Sequence, residues 1–293
     1  MISSTTLFIP TIDDEYLWSY NTSINSGADR EYNEGDKIMK KIIALALSLI
    51  LVLGLLAGCT APASNDLKTV KDGKLIMATN AFFPPYEFYE GEKIVGIDAE
   101  IAAAIADKLG LELVIENMEF NSIITAVSTG AADFGLAGMT VTEKRKETVD
   151  FSISYAKGVQ SIIVKEGSTI TTVDDLYAEG TAYKIGVQLG TTGDIYATDD
   201  FGSDNVTAYN NGNEAVLALI GGDVDCVIID NEPAKAFVAE NEGLTILETS
   251  YADEDYAACI AKGNDALREA IDNAILELTE DGTIDNIISK YIN

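Results

Sequence analysis

Arg145 closes the run Gly138-Met139-Thr140-Val141-Thr142-Glu143-Lys144-Arg145. Its guanidinium is a planar fork of N–H donors that matches a carboxylate. The competing use is a surface ion pair with Glu143 or Glu147. Gly190-Thr191-Thr192-Gly193 is a glycine-bounded turn entering a helix. Such a turn offers free backbone N–H groups and the positive end of the helix dipole to an anion. Asp230 follows the apolar run Cys226-Val227-Ile228-Ile229. An acid at the exit of a buried strand can accept from an ammonium, or it can cap the helix that begins at Asn231. The loop Asn80-Ala81-Phe82-Phe83-Pro84-Pro85-Tyr86-Glu87-Phe88 carries aromatics stiffened by two prolines. Each aromatic serves either the core or a wall beside a ligand's aliphatic part. Each signal alone is weak. Together they supply a carboxylate clamp, an anion-binding turn, an ammonium acceptor and apolar walls, which is what a zwitterionic amino acid needs.

The composition removes other chemistries. The 293 residues contain no histidine. That excludes Ser-His-Asp and Cys-His catalysis and most zinc sites. A binding protein without catalytic residues, metal or cofactor is therefore expected. The net charge is −29. Residues up to Gly58 hold four basic and seven acidic side chains, a net of −3, which leaves −26 from Cys59 onward. A surface so acidic repels phosphate backbones, so nucleic acid is not an expected partner.

The elements that must position these residues alternate. Lys74–Thr79 reads as a strand. Ile101, Ile105 and Leu109 then recur at four-residue spacing in a helix that Asp98 caps and Gly110 ends. Leu111–Met118 reads as a strand, Asn121–Thr129 as a helix and Ala132–Gly138 as a strand. This β-α-β-α-β order predicts a right-handed parallel unit. A second unit follows: strand Tyr183–Gln188, a helix after Gly193, strand Val206–Tyr209, helix Asn213–Ile220 and strand Val224–Ile229. Two last helices, Asp265–Leu278 and Thr283–Ile292, need the first sheet to pack on. The expected organisation is lobe 1 from 71–155 plus 257–293 and lobe 2 from 156–256. Two parallel crossings, near Tyr155–Gln160 and Tyr251–Tyr256, would form a hinge. The candidate ligand groups lie at C-terminal ends of strands, where open α/β sheets bind.

The N-terminal part reads as an address. Met39-Lys40-Lys41 precedes an apolar run, Ile42–Leu56, broken only by Ser48 and Gly54. A positive start followed by a short apolar stretch is the pattern of a signal peptide, here 39–58. The run is shorter than the roughly 20 residues a membrane span needs. Thr60–Asp66 is rich in Ala, Ser, Thr, Pro and Asn, and residues 59–70 read as a flexible tether. Residues 1–38 fit no element and are expected to be an upstream extension, with Met39 as the true start. The codons for Glu34-Gly35-Asp36 can spell a purine-rich ribosome-binding site, which the gene's nucleotide sequence would check.

Two sets of motifs carry a family resemblance. Leu56-Ala57-Gly58-Cys59 resembles the bacterial lipobox, which implies lipidation of Cys59 and anchoring on the extracytoplasmic face of the cell membrane. From about Lys71 onward the chain resembles the polar amino-acid family of ABC-transporter solute-binding proteins, bacterial family 3. The resemblance rests on Gly138–Arg145 with Asp150-Phe151-Ser152, on Gly186-Val187-Gln188 with Gly190–Gly193, and on Asp225–Asp230. Asp281-Gly282-Thr283 with Tyr291 is similar to the family's ending, although Ile284 replaces its aromatic. The resemblance implies a two-lobed, type II periplasmic-binding-protein-like α/β fold, a free amino acid as ligand, a permease as partner and a monomeric state. It implies that Arg145 and the Thr191-Thr192 turn hold the α-carboxylate. Asp230, Thr140 and the carbonyl of Gly138 hold the α-ammonium, and Phe83 and Phe120 sandwich the side chain. Asn80 and Gln188, helped by Ile229 and Asn231, read its tip. None of these readers is charged, so a neutral polar ligand is expected, glutamine first. Glu87 or Glu232 at the site would shift the expectation toward lysine or arginine. The alternatives are a cationic amino acid, an opine, or a cyclohexadienyl dehydratase-like enzyme, which would need a placed general acid. Cys226 and Cys259 fall in different expected lobes, where a disulfide would lock the hinge, so both read as buried apolar residues.

Overall fold

The computed structural model describes residues 67–248 and 250–292. The extension 1–38, the signal segment, Cys59 and most of the tether lie outside them. β1 (Lys74–Thr79) leads into a small antiparallel sheet of β2 (Phe82–Phe83), β3 (Glu87–Glu90) and β4 (Lys93–Val95). Then come α1 (Ile97–Leu109), β5 (Glu112–Asn117), α2 (Phe120–Ser128), β6 (Phe134–Gly135), α3 (Glu143–Lys146) and the long β7 (Val149–Lys165). The second half holds β8 (Ile185–Gln188), α4 (Thr192–Phe201), β9 (Val206–Tyr209), α5 (Gly212–Gly221), β10 (Cys226–Asp230), α6 (Asn231–Glu240) and β11 (Leu244–Ile246). β12 (Ala252–Ala261) returns the chain to α7 (Asp265–Glu280) and α8 (Thr283–Tyr291).

The main sheet runs β5-β1-β6-β12-β7-β10-β8-β9, with β11 also on β7. β1 pairs in parallel with β5 from Lys74↔Glu112 to Thr79↔Asn117, and β8 pairs in parallel with β9 and β10. These are the two expected parallel units. The crossings differ from expectation in direction: β7 and β12 are antiparallel neighbours, paired from Val149↔Ala261 to Ala252↔Gln160. One strand leaves the first lobe and the other returns to it, so they run in opposite senses. The result is a two-lobed α/β fold with two crossovers.

Burial explains the helices. Ile97, Ile101 and Ile105 are fully buried on α1, and Gly110 ends it in the left-handed conformation. Asp98 does not cap α1 as expected. Gly96 holds that position, because a side chain there would strike the Tyr86 carbonyl oxygen 2.3 Å away. α7 and α8 return to the first lobe, where the Ile153 N–H donates to Asp272 (2.8 Å) and Lys108 pairs with Glu277 (2.9 Å). The expected strand Ala132–Gly138 is paired only at Phe134–Gly135. Beyond Gly135 the Leu136 N–H still donates to the Ala78 carbonyl (3.1 Å), Gly138 turns the chain with φ +53°, and Thr140 then bridges to Tyr256 of β12. Cys226 and Cys259 are free and buried. No helix among the described residues is long and apolar enough to cross a membrane.

Candidate functional site

One cavity of about 380 Å³ is lined by both lobes. Asn80, Phe83, Phe120, Gly138, Thr140, Arg145, Gln188, Thr191, Thr192 and Asp230 all line it. The sequence placed these ten in one site, and the fold brings all ten together.

Arg145 sits on the one-turn helix α3, whose start is fixed by Thr142 Oγ1 accepting from the Arg145 N–H (3.2 Å). Glu143 and Glu147 pair with Lys146 and Lys144 instead, so the surface ion pair that competed for Arg145 does not form. The side chain is 7% exposed. Its Nη1 donates to the Thr140 carbonyl (2.7 Å) and its Nη2 to the Gly190 carbonyl (3.1 Å). The guanidinium lies 5.3 Å from the centre of the Phe120 ring. Burial lowers its pKa and the Glu254 charge opposes that shift.

Thr191 caps α4 through its hydroxyl, which accepts from the Asp194 N–H (3.3 Å). The first N–H groups of that helix, at Thr192 and Gly193, have no intrahelical acceptor, and both residues are buried. Thr192 Oγ1 lies 3.5 Å from Thr140 Oγ1 across the cleft. Gly138 is the turn beneath Phe83, and a Cβ there would lie 2.7 Å from the ring.

Asp230 takes the capping role and also lines the cavity. Its Oδ1 caps α6 by accepting from the Glu232 N–H (3.1 Å), while Oδ2 accepts from the Val159 N–H (3.2 Å) and the Tyr256 hydroxyl. Burial raises its pKa from 3.8 to about 7, with the Tyr256 hydrogen bond opposing.

Asn80 and Gln188, expected to read a ligand's tip, meet each other. Gln188 Nε2 donates to Asn80 Oδ1 (3.0 Å), and Asn80 Nδ2 donates to the Met118 carbonyl (2.8 Å). Of the other expected readers, Ile229 lines the cavity and Asn231 does not. Asn231 accepts from Ser161 Oγ (3.1 Å). Glu87 lines the cavity, whereas Glu232 pairs with Lys235 (2.7 Å).

The sequence reading missed Gln160, Glu254 and Tyr256. Gln160 lies on β7 and the other two on β12. Glu254 is 6% exposed, with one oxygen accepting from Gln160 Nε2 (2.9 Å). Its signal was present as strand alternation: Glu254 and Tyr256 share the buried face while Asp253 and Asp255 face solvent. Among the described residues, five oxygens of cavity-lining side chains have no donor partner: Gln160 Oε1, Gln188 Oε1, Glu254 Oε1 and both carboxyl oxygens of Glu87.

The model of the bacterial extracellular solute-binding proteins, family 3, matches residues 75–293. The arginine-binding extracellular protein ArtP of Bacillus subtilis (strain 168) is 30% identical over 262 residues, covering 86% of this chain and 98% of ArtP. The ABC transporter glutamine-binding protein GlnH of the same organism is 32% identical over 271 residues, covering 87% of this chain and 98% of GlnH. Among solved structures, an ancestral arginine-binding protein bound to arginine superposes with a TM-score of 0.70 at 39% identity, covering 75% of this chain and 99% of that one. The chain belongs to the bacterial extracellular solute-binding proteins, family 3.

Proposed function

We propose that the protein is the extracytoplasmic receptor of an amino-acid ABC importer, and that it closes its lobes on a cationic amino acid, arginine first. Lobe 1 is 71–155 plus 257–293 and lobe 2 is 156–256. Arg145 and the Thr191-Thr192 turn hold the α-carboxylate, while Asp230, Thr140 and the Gly138 carbonyl hold the α-ammonium. Phe83 and Phe120 flank the aliphatic stem. Lipidation of Cys59 keeps the receptor beside its permease.

The observation that carries this reading is the charge inventory of one buried cavity. Arg145 and Asp230 complement the two charges of any amino acid, and Glu87 and Glu254 remain as further acids. The cavity oxygens without donors suit a side chain made only of donors, and a guanidinium has five N–H groups and no acceptor. A glutamine amide would set its own carbonyl among them. The neutral ligand expected from the sequence rested on a reader set without Glu254, and glutamine is the alternative ligand. Charge-assisted hydrogen bonds of about 1.5–3 kcal/mol each allow four or five of them to reach the roughly 8 kcal/mol of a micromolar complex after association costs.

Titration calorimetry with the twenty amino acids tests the reading. Arginine should give the tightest binding, with lysine next. Glutamine binding tighter than arginine would restore the neutral reading, and no response to any amino acid would remove the receptor assignment.

A further inference from the structure

Asn80 follows β1 and Gln188 ends β8, and both residues are buried, at 1% and 2% exposure. The Asn80 amide is engaged at both ends. Its Nδ2 donates to the Met118 carbonyl (2.8 Å) and its Oδ1 accepts from Gln188 Nε2 (3.0 Å). Gln188 lines the cavity, and its Oε1 is left without a donor. The direction of this relay is set at its far end. A backbone carbonyl can only accept, so Asn80 must turn its nitrogen to Met118 and its oxygen to Gln188. Gln188 must then give its nitrogen to Asn80. Reversing the Gln188 amide would set two carbonyl oxygens against each other where the 3.0 Å bond now stands. Reversing Asn80 as well would only move that clash to Met118. The backbone on either side is tied down: the Ala81 N–H donates to Asn117 Oδ1 (2.8 Å) and the Met118 N–H to the Thr79 carbonyl (2.9 Å). The other cavity glutamine is held in the same sense. Gln160 Nε2 donates to a Glu254 carboxyl oxygen (2.9 Å), and again Oε1 is the atom left over.

We propose, resting on the reading of this cavity as the amino-acid site, that Asn80 is a positioning residue that fixes the polarity of Gln188: it takes the nitrogen of that amide, so the tip of the ligand's side chain meets the oxygen. Asn80 thus acts on the ligand through Gln188. A tip that brings N–H groups is accepted there, and a tip that brings a carbonyl is refused, because two buried acceptors would face each other without a donor. Asn80 belongs to the first parallel unit and Gln188 to the second, so the relay is completed where the two lobes meet.

Arginine and citrulline are the probes, because citrulline carries a carbonyl oxygen in place of one guanidinium nitrogen. Calorimetry should show that the wild type prefers arginine. Asn80→Leu frees the Gln188 amide to turn its nitrogen inward, so the ratio of arginine to citrulline affinity should fall by about tenfold or more. In a Gln188→Leu background the same substitution should change the ratio by less than about threefold, because the amide through which Asn80 acts is gone. An Asn80→Leu variant that unfolds as wild type does and keeps the wild-type ratio overturns the proposal. So does a fall that persists in the Gln188→Leu background, or a wild type that prefers citrulline. Hydrogen exchange of the Gln188 side-chain amide, followed by NMR on the isotope-labelled wild type, needs neither variant nor amino acid. That amide should be protected, and exchange at the rate of an exposed side chain overturns the relay. A protected amide in a chain that binds neither probe would remove the functional reading and leave the relay standing.

Discussion

Removing Arg145 should abolish recognition of every amino acid, whatever its side chain. Of the five N–H donors of the guanidinium, two are committed to the Thr140 and Gly190 carbonyls, which leaves three for a ligand carboxylate. Arg145→Ala deletes two charge-assisted bonds to that carboxylate, together about 3–6 kcal/mol. At about 1.4 kcal/mol per decade this is a loss of about 10²- to 10⁴-fold in affinity. Arg145→Lys is the informative control. Lysine keeps the charge but has three donors for four acceptors, so it should lose at least one bond, about 10- to 150-fold. Calorimetry with arginine, lysine and glutamine measures both variants, and thermal unfolding checks that the fold persists. An Arg145→Ala variant that unfolds as wild type does and binds within tenfold of it would refute the carboxylate clamp.

Glu254→Gln should weaken arginine by about 1.5–3 kcal/mol, roughly 10- to 150-fold, and leave glutamine within about threefold, because only the charge facing a cationic tip is lost. Equal losses for both ligands in competition binding would contradict the proposed specificity. Asp230, raised from 3.8 to about 7, holds a proton in the unliganded fold that the unfolded chain has already released. Unliganded stability should therefore fall as pH rises from about 4 to 7 and level off above it. Amino-acid affinity should rise through the same window with proton release, and a flat profile in calorimetry at several pH values would remove this role. Gly138→Ala combines a positive φ with a 2.7 Å approach to Phe83, and about 1–3 kcal/mol of strain should appear as lost affinity. Cys59→Ala should release the protein from the membrane fraction and abolish incorporation of labelled fatty acid; retention on the membrane would count against the lipid anchor.

The sequence by itself determined the local elements and which residues line the cavity. Ile101 and Ile105 at helical spacing, the strands Lys74–Thr79 and Val206–Tyr209, and Gly110 as a stop depend on neighbours along the chain, and each formed as read. Arg145, the Thr191-Thr192 turn and Asp230 were legible as cavity residues for the same reason, since a loop motif of a few residues carries its own geometry. Only the tertiary structure decided which side chains face one another across the cleft. Asn80 and Gln188 lie 108 residues apart, and nothing local says that they meet. Asp98 looked like a cap because it begins a helix, yet its carboxylate is claimed by Gly138 and Tyr155. Glu254 reads as one more acid among Asp253 and Asp255 until the crossover strand turns alternate residues inward and sets it on Gln160 of the other crossing. Ligand preference lives in such long-range pairs, because a buried charge is defined by the surfaces that exclude water from it, and those surfaces come from distant parts of the chain.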